Sequence, residues 1–376
     1  MSRIWFFLIT LTLLFAAFGS RDTIASLDRA MIHAVGIDRE NEGYRVTLQV
    51  FRPDGTGSET QLDPAKANVY TVDAAAPSVE QAIVLCEDKL GEYVFIGHCQ
   101  VMLLGEGVSP EEPERLFAYF LRSKESYLGV RLAAAEGKAS ELLSAELSEG
   151  TVAAQNILNV IKRSAENGAT VECDLLSAVN CGSCPPILPL LKKTGAPKEE
   201  QSSDEKSSGP EGSSVSQLIS VEGAVAFPKG KEPFRLGRGE CAAISLVKGK
   251  AERLMLPAEG GEKPSAVSVE FSSCRTDARE SGGVITVSKR LETVIRRDHT
   301  VDVLFRGEEL EQRCQEELIA LISSAERLSR EKGCDLFGIG TTVRSRFPEV
   351  WRSCGGDTEE LLRRCVLSFE TVCRVK

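Results

Sequence analysis

Hydrophobic and polar residues alternate, or recur at helical spacing, along most of the chain. Residues 44–51 alternate apolar with polar side chains, which predicts a half-buried strand. Residues 31–37 predict the preceding strand, and the two form an antiparallel hairpin around Gly43. Apolar residues at three- and four-residue steps predict helices over 78–90 and 308–332.

The same patterns predict the remaining elements. Further strands are expected at 69–72, 99–104, 128–135, 218–227, 267–271, 284–287, 301–305 and 367–375. Further helices are expected at 113–122, 140–147, 152–163 and 239–247. Strands that alternate with helices after an opening hairpin indicate an α+β fold, in which antiparallel or mixed sheets pack against helices.

Two breaks in the pattern indicate three domains. Residues 198–216 are polar apart from Val215, so they cannot bury enough apolar surface to offset their ordering entropy. The Ser-Gly-Gly run at 281–283 is the second break. We therefore predict domain 1 over 20–197, a flexible linker over 198–216, a small domain 2 over 217–281 and domain 3 over 282–376.

The first 19 residues have the pattern of an export signal. Arg3 precedes an apolar run over 4–18, and the small residues Ala17 and Gly19 lie two apart, as at a signal-peptidase site. The run is shorter than the roughly 20 residues that a transmembrane helix needs. It also lacks the polar face of an amphipathic helix. We predict a signal peptide or signal anchor over residues 1–19.

Composition narrows the class of protein further. With 42% hydrophobic residues the chain is neither a polytopic membrane protein nor wholly disordered. Its formal net charge of −10 argues against nucleic acid as a partner, because phosphate binding needs a basic surface. The 12 cysteines do not indicate a small disulfide scaffold, since a chain of this length buries a core without them.

Cys181 and Cys184 form the most distinctive local motif, Cys-Gly-Ser-Cys followed by Pro185 and Pro186. A structural disulfide or free thiols are expected here. The alternatives are a redox pair and, with Cys173, a metal site. Three thiolates fall short of the four ligands of a structural zinc, and the prolines do not suit a reactive thiol at a helix start. We predict no metal, no cofactor and no catalytic residue.

The other candidate residues have structural interpretations. His33, His98 and His299 share no ligand spacing, and we expect His98 to act as a structural hydrogen-bonding residue. Asp38 is expected to cap the turn of the first hairpin. Trp351 is expected to anchor a turn onto the core of domain 3, with a contact to a partner as the alternative.

Several segments follow one another as they do in a known family. Asp335-Leu-Phe-Gly-Ile-Gly, followed by Arg346-Phe-Pro-Glu-Val-Trp351, resembles the carboxyl-terminal signature of the Ger(x)C family, the C subunits of bacterial spore germinant receptors. Residues 34–38 with 43–50, 96–105, and 223–229 with 239–241 resemble its earlier blocks. The resemblance marks these residues as structural or interaction residues: Gly36, Asp38, Gly97, His98, Phe337, Gly338, Pro348 and Trp351.

The resemblance implies three mixed α/β domains on the outer face of the spore inner membrane. There the chain would be a non-enzymatic, membrane-associated subunit that assembles with membrane-embedded A and B subunits and supports the response to small germinants. Two alternatives from other classes are a thiol-dependent extracytoplasmic enzyme centred on Cys181 and Cys184, and a free solute-binding protein.

One position departs from the family pattern. Members usually carry a lipobox cysteine, commonly followed by Trp-Asp-Arg, directly after the signal, whereas this chain has Ser20 there. Serine has no thiol to accept a diacylglyceryl group, so the lipidation position is lost. Either the signal stays as an uncleaved anchor, or it is cleaved and partners hold the protein at the membrane.

Overall fold

The computed structural model describes residue 5 and residues 29–51, 69–110, 113–145, 152–180, 184–195, 217–258, 265–282, 284–296 and 307–375. Several predictions concern other residues: the rest of the 1–19 signal, Ser20, Cys181, the 198–216 linker, His299 and the 301–305 strand. The described residues form one sheet of ten strands and one of four, with helices packed on both. This mixed architecture confirms the predicted α+β class.

The ten-stranded sheet contains the amino-terminal half of the fold. Its strands are β1 (Arg29–Glu40), β2 (Gly43–Phe51), β3 (Val69–Ala76), β4 (Tyr93–Phe95), β5 (Val101–Leu104), β6 (Arg131–Ala135), β7 (Cys173–Asp174), β8 (Ile187–Gly195), β9 (Gln217–Ala226) and β10 (Phe234–Leu236). Their order is β10-β9-β8-β6-β5-β1-β2-β3, with β4 beside β1 and β7 beside β6. Strands β1, β4, β5, β6 and β8 run parallel to one another.

Helices cover both faces of this sheet. Helices α1 (Val79–Leu90), α2 (Pro113–Leu116), α3 (Ala118–Arg122) and α6 (Leu175–Val179) pack on one face, and α4 (Ala139–Leu143) and α5 (Ala153–Glu166) pack on the other. Burial on two faces explains why Ile32, Ala34, Val35 and Ile37 of β1 are all buried although neighbouring side chains point to opposite faces.

The opening hairpin and the first helix confirm the predicted pattern. Strands β1 and β2 pair antiparallel around a turn in which Asn41 has a φ of 52°, a left-handed conformation that asparagine tolerates. Helix α1 begins after Ser78, whose Oγ accepts a hydrogen bond from the backbone N–H of Gln81 at 3.2 Å. The predicted helix over 113–122 is interrupted at Phe117 and forms α2 and α3.

The four-stranded sheet contains β11 (Arg253–Ala258), β12 (Ser265–Ser281), β13 (Val284–Arg296) and β14 (Cys365–Val375), in that order. The pairs are antiparallel except β13 with β14, which are parallel. The helices of this half are α7 (Arg238–Val247), α8 (Gly307–Lys332), α9 (Ile339–Arg346), α10 (Pro348–Ser353) and α11 (Thr358–Arg364). Helix α8 buries Leu310, Cys314, Leu318, Ile322 and Ala325, which confirms the predicted helical stripe.

Residues 217–281, expected to form a small second domain, contribute strands to both sheets. Strands β9 and β10 extend the first sheet from β8, whereas β11 and β12 build the second sheet with β13. A continuous apolar core joins Ile187 and Leu236 of the first sheet to Leu254 and Ile285 of the second. The division into three domains stays a prediction. Any domain boundary has to be consistent with the pairing of β9 and β10 in the first sheet and of β11 and β12 in the second.

Candidate functional site

The residues marked by the family resemblance lie in four separate places. Gly36 and Asp38 lie on β1, Gly97 and His98 between β4 and β5, Phe337 and Gly338 directly before α9, and Pro348 and Trp351 in α10. The structure does not gather them into one cleft, so each group has to be considered for its own local task.

Asp38 holds helix α4 against the first sheet. Its buried carboxylate accepts hydrogen bonds from the backbone N–H groups of Ala139 at 2.6 Å and Ser140 at 3.1 Å. The prediction that Asp38 caps the hairpin turn is therefore wrong in location. The carboxylate caps a helix that begins about a hundred residues later, because α4 begins beside the end of β1.

Two glycines make this contact between α4 and the sheet close enough. A Cβ on Gly36 would lie 3.1 Å from Leu143 Cδ1 and 3.2 Å from Ala139 Cβ, both on α4. A Cβ on Gly105 would collide with the Asp38 carboxylate. Gly105 was not among the predicted site residues, although it ends the segment 96–105 that resembles the family.

Asp335 performs the same task in the second half of the fold. Its side chain is only 1% exposed, and it accepts hydrogen bonds from the N–H groups of Ile339 at 2.9 Å and Gly340 at 2.7 Å. Gly338, at the start of α9, has a φ of 68°, a left-handed conformation that favours glycine. Asp335 belongs to the carboxyl-terminal motif that resembles the family, but this capping role was not predicted. An aspartate shortly before Gly338 and Gly340 was the available signal.

Two lysines lie close to the Asp335 carboxylate. Lys289 is buried and donates a hydrogen bond to the carbonyl of Val247 at 3.1 Å, and Lys248 donates one to Cys184 Sγ at 3.2 Å. Burial raises the pKa of Asp335, while the N–H groups of Gly340 and Ile339 and the two lysines act in the opposite direction. Burial also lowers the pKa of Lys289. The cluster links α7, β13 and the start of α9.

The raised pKa of Asp335 gives the fold a testable pH dependence. Between the unfolded and folded pKa values the folded state binds more protons, so the stability that this group contributes falls as the pH rises. Asp335→Asn removes this titration. We expect the wild type's advantage over D335N in free energy of unfolding to shrink as the pH rises above about 4, the pKa of aspartate in the unfolded chain, as measured by urea unfolding.

Asp357→Asn is the matched control, because Asp357 caps α11 at an exposed position through the N–H of Glu359. A difference between the wild type and D335N that stays constant, or that grows with pH, would contradict the assignment. D357N makes the same Asp-to-Asn change at an exposed helix cap, so it reports what the loss of such a cap costs without burial.

None of the eleven thiols that the structure describes has the environment of a reactive cysteine. Burial raises the pKa of Cys184, and Lys248 only partly opposes it. The same direction and cause hold for all eleven cysteines that the structure describes, whereas nucleophilic and redox cysteines need a lowered pKa. Cys184 forms no disulfide with another described cysteine, and Cys181 lies outside the described residues, so the predicted Cys181–Cys184 disulfide stays a prediction.

Metal ligation has no candidate in the part of the chain that the structure describes, where no group of three or more His, Cys, Asp or Glu side chains is placed to hold an ion. Cys173 of the hypothetical thiolate set is buried, and burial raises its pKa to about 12. A thiol that keeps its proton is a poor metal ligand.

The remaining marked residues pack against neighbours. The Phe337 ring lies edge-on to Phe369 with ring centroids 5.7 Å apart, and Trp351 packs against the core of the second sheet. Pro348 occupies the first turn of α10, where its missing N–H costs no hydrogen bond. The exposed His98 ring lies edge-on to Phe95 at 5.6 Å, and its expected hydrogen-bonding role stays a prediction.

An exposed apolar patch on α1 was not predicted. Val84 and Leu85 point to solvent and, together with Ala76 and Pro77, line a shallow depression of about 400 Å³ beside Glu80 and Gln81. The signal in the sequence was the uninterrupted apolar run from 82 to 86, which gives α1 apolar residues on two faces.

Among the described residues, no helix is both long and apolar enough to cross a bilayer. Buried carboxylates thus hold the starts of two helices, α4 and α9, and exposed apolar side chains lie on α1.

Comparison with known proteins identifies the family. Residues 26–193 match the family model described as the spore germination protein N-terminal domain, and residues 222–359 match the one described as spore germination B3/GerAC like, C-terminal. A solved structure titled "Crystal Structure of the GerBC protein" aligns with a TM-score of 0.52 and 16% identity, covering 91% of this chain and 96% of that chain, which shows a similar fold. No curated protein sequence matches. The chain therefore belongs to the Ger(x)C family of spore germinant receptor C subunits.

Proposed function

We propose that this chain is a non-enzymatic, extracytoplasmic subunit of a spore germinant receptor. It assembles with the membrane-embedded A and B subunits on the outer face of the spore inner membrane and so supports the response to small-molecule germinants. The observation that carries the proposal is the match of two germination family models, in order, to residues 26–193 and 222–359.

The contacts that the motif residues make support a structural role for this chain rather than a catalytic one. Asp38 and Asp335 use both carboxylate oxygens to hold backbone N–H groups, and Gly36 lets a helix approach a strand. The two carboxylates are buried where helices pack on the sheets. What they preserve is the shape of the surfaces that the subunit presents to its partners.

The environment of Cys184 argues against the thiol-enzyme alternative. A general base or a cation that dominated this thiol would lower its pKa, yet burial outweighs Lys248 and raises it. Lys248 Nζ donates a hydrogen bond to Cys184 Sγ, but the positive charge of Lys248 also interacts with the buried carboxylate of Asp335. The charge is therefore shared and does not stabilise a Cys184 thiolate alone.

Affinity capture from spore inner membranes tests the proposal. The full chain, tagged at its carboxyl terminus, should bring down one polytopic A subunit and one B subunit, identified by mass spectrometry, and deleting the chain should abolish the response to at least one germinant. The matched control is the same chain with Cys184→Ser, which should capture the same subunits and restore the response.

Three results would contradict the proposal. Capture of the chain without A and B subunits, in spores that still germinate after its deletion, would remove the receptor role. Loss of germination in the C184S variant with capture intact would favour the thiol-enzyme alternative. Calorimetric binding of an amino acid, sugar or nucleoside by the chain, without capture of A and B, would favour a free solute-binding protein.

A further inference from the structure

The parallel strands of the first sheet begin at one end of that sheet, which we call the amino edge. Strands β1 and β4 begin there with Arg29 and Tyr93, which are partners in register. The 123–130 loop, which enters β6, reaches this end, where Glu125 pairs with Arg29. Strand β5 begins further along β1, opposite Ala34. The amino edge is therefore built from the first residues of β1 and β4 and from the 123–130 loop.

Direct contacts join these segments into one surface. Arg29 Nη1 forms an ion pair with Glu125 Oε1 at 2.8 Å, and the Arg29 guanidinium lies 5.4 Å from the centre of the Phe95 ring. The backbone N–H of Leu176, in α6, donates a hydrogen bond to the carbonyl of Leu128 at 3.0 Å. The edge is thus continuous from the first residue of β1 to α6.

Large apolar side chains are exposed along this surface. Tyr93 is 59% exposed, Tyr127 62% and Leu176 50%. Arg122, the last residue of α3, and Lys124, in the following loop, are exposed and lie within five residues of Tyr127 in the sequence. Tyrosine rings beside basic side chains suit the boundary between lipid chains and headgroups, because the ring body is apolar and the hydroxyl stays hydrated.

The amino-terminal sequence brings this edge, and not the opposite one, to the membrane. The apolar run over 4–18 ends ten residues before the described structure resumes at Arg29. Ten extended residues span at most about 36 Å. Strand β1 has 12 residues and is about 40 Å long. If its far end lay against the membrane, Arg29 would be about 40 Å away from the membrane, which is more than the ten residues can span.

We infer that the amino edge lies against the lipid bilayer, with Tyr93, Tyr127 and Leu176 at the headgroup boundary and residues 4–18 retained as the anchor. The inference rests on the proposed function only in that the protein works at a membrane. It specifies which face of the fold contacts the lipid. The α1 patch is not part of that face.

Depth-dependent fluorescence quenching tests this orientation. The full chain carrying Trp5→Phe is reconstituted into vesicles of phosphatidylglycerol and phosphatidylcholine with brominated acyl chains. Tryptophan is then introduced by Tyr93→Trp or Tyr127→Trp, and Val84→Trp is the matched control because Val84 is 47% exposed on α1. After subtraction of the parent signal from Trp351, quenching at 93 and 127 should exceed quenching at 84 by about twofold or more.

Equal quenching at all three positions, or stronger quenching at 84, would overturn the inference. So would absence of quenching at 93 and 127. If, in a separate sample, added A and B subunits protected these positions from the quencher iodide, the edge would be a protein interface and the inference would be wrong. The vesicles contain no partner subunit. A failure here is therefore distinguishable from a failure of affinity capture, which would instead remove the receptor role.

Discussion

Replacing Gly223 with alanine is expected to lower the free energy of unfolding by about 3 kcal/mol or more. Gly223 lies in β9 with a φ of 80°, which L-residues with a side chain rarely adopt. A Cβ there would also collide with the backbone carbonyl oxygen of Leu236 in β10. Neither partner can move cheaply, because β9 pairs with β10 on that side and with β8 on the other.

The strain would spread beyond this strand. The Gly223 carbonyl accepts a hydrogen bond from Thr170 Oγ1 at 2.7 Å, and the Thr170 hydroxyl is buried. Ser245 Oγ in turn donates to the Thr170 carbonyl at 3.3 Å, which links α7 to the same segment. Displacing Gly223 would therefore disturb the hydrogen bonds through Thr170 that connect α7 to β9 of the first sheet.

Gly230→Ala is the matched control for this prediction. Gly230 also has a positive φ, 68°, but a Cβ there would meet no neighbouring atom, so only the conformational cost of about 1 kcal/mol applies. Urea unfolding followed by circular dichroism measures both variants. Should the two variants lose equal stability, the close approach of Gly223 to Leu236 would carry no energetic weight.

Local patterns were enough to predict the elements that depend on nearby residues. The hairpin of β1 and β2 and the stripe on α8 follow from periodicity, since each is specified within a few dozen residues. The Asp335 cap was also available in principle, because its acceptors and the capped N–H groups lie four and five residues apart.

Long-range pairing explains what the sequence could not show. Asp38 meets a helix about a hundred residues away, and nothing near Asp38 distinguishes that partner from the adjacent hairpin turn. The assignment of 217–281 to two sheets has the same origin, because strand pairing depends on the edges that other segments leave open. The exposure of the α1 patch could not be predicted, because a run of apolar residues does not indicate which of them will pack against a sheet.

Replacing Asp38 with alanine is expected to lower the free energy of unfolding by about 2–4 kcal/mol. The substitution leaves the N–H groups of Ala139 and Ser140 without their acceptor at the start of α4. Water cannot easily replace it, because Ala139 is buried against Gly36. Asp38→Asn should cost less than D38A, since the amide oxygen can still accept one of the two hydrogen bonds.

Asp357→Ala separates this effect from the ordinary loss of a helix cap. Asp357 accepts one hydrogen bond, from the N–H of Glu359 at 3.2 Å, at an exposed position, so its removal should cost about 1 kcal/mol. Hydrogen exchange should also show that D38A loses amide protection in α4 and along β1, whereas D357A loses it only in α11. If D38A lost no more stability than D357A, water would have to reach the start of α4. The buried carboxylate could then not be what holds α4 against the first sheet.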